Sequence, residues 1–222
     1  MSGRAESRMP SLKQLGRALT RPAAATRAAI SLLRGQGYLF WYRCMGIRFS
    51  AGTNFRVYGS LKVRGPGRVV FGNNVSVGME VTPYTHAPDA LIEIGDGSYL
   101  NGTRFGCQQL IRVGPRAILA DARILDTDFH PLDPARRHDP GAPVRTAPII
   151  LDENVWIGAA AGLLPGTRIG RNSVVGFGAV CSGDYPANAI IAGNPARVIR
   201  ELQESDRTHP RLDHDLEKPP RL

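Results

Sequence analysis

The chain has 222 residues, a net charge of +9, and 25 glycines beside 17 prolines. Its length allows one substantial core with appendages, and the glycine and proline content suits a turn-rich β protein. No apolar run reaches the roughly 18 residues that a membrane-spanning helix needs. The basic N-terminus also lacks an apolar run of signal-peptide length, so the expectation is a cytoplasmic protein. Cys44, Cys107 and Cys181 are odd in number and far apart, with no paired spacing; neither a disulfide framework nor a zinc site follows, and a reducing compartment fits.

The charge is concentrated at the front. Residues 1–70 hold 13 of the 28 Lys and Arg with Glu6 as the single acid, a net +12, whereas the rest of the chain sets 15 basic against 18 acidic residues, or −3. Residues 1–10 read as a disordered lead. Ser11 can cap a helix with Leu12, Leu15 and Leu19 on one face. Pro22 can open a second helical piece that runs to about Arg34, where Gly35 and Gly37 stop it. The aromatic cluster Tyr38, Phe40, Trp41 and Tyr42 follows, flanked by Arg34, Arg43 and Arg48. Two readings compete for residues 1–45: a cap over the open end of a repeat column, or a peripheral contact with anionic lipid headgroups. Nucleic acid is not expected as a partner, because no recognised binding motif accompanies the charge.

Periodic material begins near Gly46. Val57, Leu61, Val63, Val69 and Phe71 are spaced for short strands, with a turn at Gly65-Pro66-Gly67. Two hexads follow at 71–75 and 77–81; Pro83 to Ala90 interrupts them and reads as a loop thrown out from the coil. The register resumes at Ile94, Leu100, Val113, Leu119 and Leu125, then breaks from His130 to about Ala147, a polar, proline-rich segment of the kind that often carries function on a rigid scaffold.

The cleanest stretch is 151–180. Leu151, Ile157, Leu163, Ile169 and Val175 fall six residues apart, and Val155, Ala161, Thr167, Ser173 and Ala179 keep the same period with small or β-branched side chains. Neither helical nor strand periodicity gives that register. A chain that turns a corner every six residues does, and three sides make a coil of about 18 residues whose stacking buries an aliphatic column. Beyond it, Ile190 to Pro195 reads as a strand and turn, Ala196 to Gln203 as a helix, and 205–222 as a disordered tail.

Five histidines are present: His86, His130, His138, His209 and His214. His209 and His214 lie in the tail, and His86 and His138 read as loop decoration. His130 stands where a regular coil gives way to the long loop, and an imidazole held there can take a proton from a hydroxyl near neutral pH. A three-histidine zinc site needs two of them on one coil and the third on the next; His86, His130 and His138 do not offer that. No Gly-x-Ser-x-Gly elbow is present, and Cys107 and Cys181 lie in strand-like surroundings where inert thiols are usual.

The segments 130–134, 155–158, 164–166 and 192–200, in this order and spacing, resemble the hexapeptide-repeat O-acetyltransferases related to the maltose, galactoside and nodulation sugar acetyltransferases. The resemblance covers roughly residues 50–200. It implies an all-β fold, a left-handed parallel β-helix, here with an N-terminal helical extension and a short C-terminal helix. On that reading the chain divides into a basic extension (1–45), the β-helix (46–195) and a C-terminal helix and tail (196–222). It further implies acetyl-CoA as acyl donor without a metal, a sugar or glycan acceptor, and a homotrimer with active sites between subunits. By the same resemblance His130 is the catalytic base, Asn101 helps hold the acceptor, Asp128 assists, and Trp156 lies beside the pocket. Coil-corner bonding and coil packing are the alternative roles of Asn101 and Trp156. Ala159, Phe177, Ser182, Gly183, Arg197 and Arg200 meet the donor. Phe177 replaces a small residue and Gly183 a Lys of the family pattern, which places donor binding in question. The basic front resembles enzymes that modify precursors of surface polysaccharide or lipopolysaccharide at the inner face of the membrane. Amino-sugar N-acetylation and a non-catalytic scaffold are the alternatives.

Overall fold

The computed structural model describes residues 22–139 and 141–207. The expected Ser11 helix, the disordered lead, and His209 and His214 lie outside the described residues. From Phe49 onward the chain winds as a three-sided β-helix. Face 1 stacks the strands Phe49–Ala51, Arg68–Phe71, Leu91–Ile94, Leu110–Val113, Ile149–Leu151, Arg168–Ile169 and Asp184–Tyr185. Face 2 runs from Arg56–Val57 through Ser76–Val77, Tyr99–Asn101, Ile118–Ala120, Trp156–Ile157 and Val174–Val175 to Ala189–Gly193. Face 3 stacks Thr82–Thr85, Arg104–Cys107, Arg123–Leu125, Gly162–Leu163 and Val180–Cys181. All neighbours within the faces are parallel, in register and one coil apart.

The six-residue register has the physical cause expected of it. Leu151, Ile157, Leu163, Ile169 and Val175 fall on faces 1, 2, 3, 1 and 2, and each is at most 1% exposed. Val155, Ala161, Thr167, Ser173 and Ala179 are as deeply buried beside the corners. Their hydroxyls reach backbone rather than water: Thr167 donates to the Leu164 carbonyl at 2.7 Å and Ser173 to that of Pro186 at 2.9 Å. At the corner from face 1 to face 2 the backbone turns left-handed at Asn54, Asn74, Asn154, Asn172 and Asn188, a conformation that Asn tolerates better than most residues. Their amides form ladders, Asn154 to Asn172 at 2.9 Å and Asn172 to Asn188 at 3.0 Å.

The helix α1, Pro22–Cys44, runs straight through Gly35 and Gly37 rather than ending near Arg34. Glycine serves packing here: a Cβ on Gly35 would collide with the carbonyl oxygen of Phe55, whereas one on Gly37 would meet nothing within 4 Å. The buried face of α1 covers the open edge of the first coil. The Tyr42 hydroxyl donates to the Leu61 carbonyl at 2.7 Å and accepts the Val63 amide at 3.0 Å, and the Arg34 guanidinium holds the carbonyls of Tyr58 and Gly59. These are backbone groups that a preceding coil would otherwise pair, and leaving them unmet in a partly dry site is costly. Phe40 and Trp41 point away and are exposed. The capping role of this segment is thus built into its hydrogen bonds.

Four further expectations are corrected. Pro83 to Thr85 does not leave the coil: Thr82–Thr85 is a face 3 strand, Pro83 points into the core, and only the residues from His86 onward loop out. Ile124 rather than Leu125 fills the core position of its rung. Ala196–Glu201 is a strand, antiparallel to Ala189–Gly193, because Ala196 and the Gly193–Pro195 turn let the chain fold back on face 2 and close its last edge. The helical turn comes later, at Glu204–Arg207, where the tail was expected to be disordered.

Candidate active site

The long loop leaves face 3 after Leu125 and returns to face 1 at Ile149. Its neck is pinned. Asp128 N–H donates to the Arg145 carbonyl at 3.1 Å, Ala147 N–H to that of Asp126 at 2.9 Å, and the Thr127 and Thr146 hydroxyls lie 3.2 Å apart. Asp126 is fully buried, and its carboxylate accepts the amides of Gln108, Gln109 and Leu110 at 2.6 to 2.8 Å. A charge with three donors on it anchors the loop root to the preceding coil.

From this root the chain makes an unusual turn. Phe129 has φ +62, and the amide of His130 donates back to the Asp128 carbonyl at 2.8 Å, a three-residue turn around a positive-φ aromatic residue. Such turns are rare and strained, and strain of this kind is held only where surroundings over-determine it. Here they do: the Phe129 ring packs over Gly106, where a Cβ would approach its Cζ to 2.6 Å, and meets the His86 ring edge-on at 4.7 Å. His130 is thereby presented outward, exposed, beside a hollow of about 340 Å³ that it shares with His138, Arg137 and Asp139. His138 is therefore a neighbour of the candidate base rather than remote decoration.

The other expected residues are distributed around face 3. Asn101 stands at the edge where face 2 turns into face 3, and Asp128 and His130 at the edge where face 3 ends. One chain does not bring them together. The Asn101 Oδ1 accepts the Met79 amide at 2.8 Å, so its corner role is realised, while its amide nitrogen remains available to donate. Trp156 is half exposed on face 2, which rules out coil packing inside the column.

Ala159 and Phe177 lie one coil apart on the same edge as Asn101, joined by the Gly178 amide on the Ala159 carbonyl at 3.0 Å. Glycines and alanines at 158–160 and 176–178 leave this edge shallow, as a long thin ligand such as the coenzyme's pantetheine arm requires; Phe177, 79% exposed, projects into it. Ser182 and Gly183 sit on the opposite edge of face 3, and no heavy atom lies within 4 Å of where a Gly183 Cβ would be. Arg197 is exposed on the closing strand. Arg200 is held by Asp206 in a two-pronged pair at 2.6 and 2.8 Å, so it is the less available of the two for a phosphate.

Sequence reasoning missed a second group on face 3. Tyr84, His86 and Phe129 follow one another in ring contact, Tyr84 to His86 tilted at 4.1 Å between centroids and His86 to Phe129 edge-on, in a hollow also lined by Arg64 and Arg104. Burial holds the His86 imidazole below its usual pKa, opposed by the nearby Asp126 carboxylate. Treating Pro83 to Ala90 as a loop concealed the alternation that puts Tyr84 outward between buried Pro83 and Thr85. Cys107 and Cys181 are buried, and burial pushes both thiols up, that of Cys181 to about 11. Among the described residues no cluster of three or more His, Cys, Asp or Glu has metal-site geometry, and no helix is long and apolar enough to cross a membrane.

Residues 148–183 match the family model described as bacterial transferase hexapeptide (six repeats). The galactoside O-acetyltransferase of Lactococcus lactis is 38% identical over 96 residues, 43% of this chain and 45% of the relative. That of Escherichia coli K12 is 34% identical over 107 residues, 48% of this chain and 52% of the relative. The chain thus spans about half the length of the curated relatives it matches. Among solved structures, a mutant of AntD, an N-acyltransferase from Bacillus cereus in complex with dTDP and coenzyme A, shares the fold with a TM-score of 0.58 at 22% identity, over 72% of this chain and 88% of that one. The rungs, the six-residue repeat and the structural neighbour agree on a three-sided β-helix, and over about half its length the chain is similar to the galactoside O-acetyltransferases.

Proposed function

We propose that the protein moves an acetyl group from acetyl-CoA to a sugar hydroxyl, with His130 as general base. The observation that carries this reading is the strained turn at Phe129, which fixes an imidazole at the rim of a hollow on an otherwise regular scaffold. His130 takes the proton of the acceptor hydroxyl as that oxygen attacks the acetyl carbonyl; a backbone N–H at a coil corner stabilises the charge developing on the carbonyl oxygen. Ala159, Phe177, Ser182, Gly183 and Arg197 hold the donor, and Asn101 and Asp128 position the acceptor beside Trp156. The relatives named as galactoside O-acetyltransferases and the coenzyme A complex of the structural neighbour support the donor and the sugar class.

A second copy completes the site. Asn101 and His130 occupy opposite edges of one chain, and face 2 presents an exposed apolar ladder, Tyr99, Ile118 and Trp156 in register at 41, 47 and 51% exposure. Burying that ladder against the His130 edge of another subunit, three times around an axis, gives a homotrimer. The acceptor is a precursor of surface polysaccharide or lipopolysaccharide in the cytoplasm. The outward side of α1, with Ile30, Leu33, Phe40, Trp41 and Met45 exposed beside Arg43 and Arg48, lets the protein rest on the inner membrane face. Amino-sugar N-acetylation is the rival, favoured by the named activity of the structural neighbour.

The test is release of free thiol from acetyl-CoA with a panel of neutral sugars, amino sugars and lipid-linked sugars. Thiol release with hydroxyl acceptors supports the reading; release with amino sugars alone moves it to N-acetylation; none with any acceptor leaves a scaffold. Liposome pelleting that does not change when residues 1–45 are removed ends the membrane contact.

A further inference from the structure

The hollow on face 3 that contains Tyr84 and His86 encloses about 450 Å³ and lies on the other side of the Phe129 ring from His130. Its floor is flat because Gly106 stands between Tyr84 and Leu125 in the outward row, and Gly106 has no side chain to fill the space under Phe129. Its wall is the ring series Tyr84, His86 and Phe129. Its lining is also cationic. Arg64 pairs across the ladder with Tyr84, and Arg104 with Thr82, so the two arginines stand on the rungs before and after the one that carries Tyr84, and both line the hollow. Lys62 is paired with Glu80, whose carboxylate also feels the charge of Arg104. Arg64 and Arg104 form no salt bridge with any described residue, and both are exposed. The planar fork of a guanidinium suits phosphate oxygens in particular.

We propose that this hollow is a binding site for a sugar carrying a phosphate ester, separate from the hollow beside His130. The phosphate lies on Arg64 and Arg104, and the apolar face of the sugar ring lies on Tyr84 and His86. Phe129 then does two things at once: its ring closes the subsite and its backbone aims His130. Burial disfavours the charged form of His86, opposed by the Asp126 carboxylate, so the phosphate is assigned to the two arginines. The site is defined by binding alone and is independent of the acyl-transfer reading.

Isothermal titration of the full chain, without acetyl-CoA, separates the two claims. The probes are glucose 1-phosphate, uridine diphosphate glucose, methyl glucoside and inorganic phosphate. Glucose 1-phosphate or the nucleotide sugar binds at least tenfold more tightly than methyl glucoside. If both phosphorylated probes bind, the phosphate is the recognised group; if only the nucleotide sugar does, the diphosphate is. Arg64→Ala/Arg104→Ala loses at least tenfold for the phosphorylated sugars with an unchanged melting curve. Tyr84→Ala weakens glucose 1-phosphate but not inorganic phosphate. Methyl glucoside binding as tightly as its phosphorylated counterparts, or a folded double-arginine variant that binds them like the natural chain, overturns the proposal. Binding that persists while no thiol is ever released keeps the subsite and removes the transferase.

Discussion

The amide of His130 reaches back to the carbonyl of Asp128 at 2.8 Å, and the residue between them is a phenylalanine in a left-handed conformation. An aromatic residue there costs about 1–2 kcal/mol in backbone strain, and the ring contacts with His86 and over Gly106 offset it.

Phe129→Gly tests that balance. Glycine takes the turn without strain, but the buried ring surface is lost, worth about 1.5–3 kcal/mol when complete. Stability should fall by about 1 kcal/mol, since the ring is only partly buried. Turnover should fall at least tenfold, because a base displaced by about 1 Å can lose up to 10²-fold. Thermal unfolding and kcat measured side by side check both; unchanged kcat would mean that the turn does not aim His130.

Gly35 and Gly37 should respond differently to alanine. Replacing a helical Gly by Ala gains about 1 kcal/mol in propensity. At Gly37 the new methyl group meets nothing, so the gain is kept. At Gly35 it strikes the backbone of Phe55, which can yield only if α1 lifts from the coil. Overpacking of this kind costs about 1–3 kcal/mol, leaving Gly35→Ala neutral to about 2 kcal/mol destabilised. Calorimetric melting of the two variants checks the ordering.

Asp126→Ala should be among the most damaging single changes in the loop root. It strands three amides that the carboxylate accepts within 2.8 Å, at a cost of about 2–4 kcal/mol. Asp126→Asn retains one acceptor oxygen and should fall between. Denaturant unfolding gives the values.

The cysteines should divide into one reactive and two silent thiols. Cys44 is exposed at the end of α1. With its pKa pushed to about 11, Cys181 is thiolate in only about one molecule in a thousand at pH 8, and Cys107 lies higher still, through burial and the adjacent Asp126 carboxylate. A chromogenic thiol reagent should therefore titrate one group in the native protein and three in denaturant. The raised pKa keeps both buried thiols neutral below pH 9, so raising the pH toward 11 should expose Cys181 to reaction first.

Much of this molecule is legible in its sequence because hexapeptide coils obey a local rule. Leu151, Ile157 and Leu163 report their own burial through a fixed spacing, and Asn154 and Asn172 report their own corners through a backbone conformation few residues accept. Legibility ends where a residue serves a distant partner. Gly35 reads as a helix stop, yet its purpose is set by Phe55, twenty residues on. Ala196 to Glu201 has the composition of a helix, but an unpaired edge on face 2 recruits it as a strand. Tyr84 and His86 look like loop residues until Arg104 and Phe129 are placed beside them. His130 is marked in the sequence by its position at a break in the period; the positive φ of Phe129 that precedes it is not encoded in composition.

The most direct measurement is thiol release from acetyl-CoA by His130→Ala, in the presence of a sugar acceptor that the natural chain turns over. The rate should fall about 10²–10⁴-fold, the contribution of a general base, while the melting temperature and the sedimentation behaviour stay those of the natural chain. A variant that retains its full rate would contradict His130 as the base.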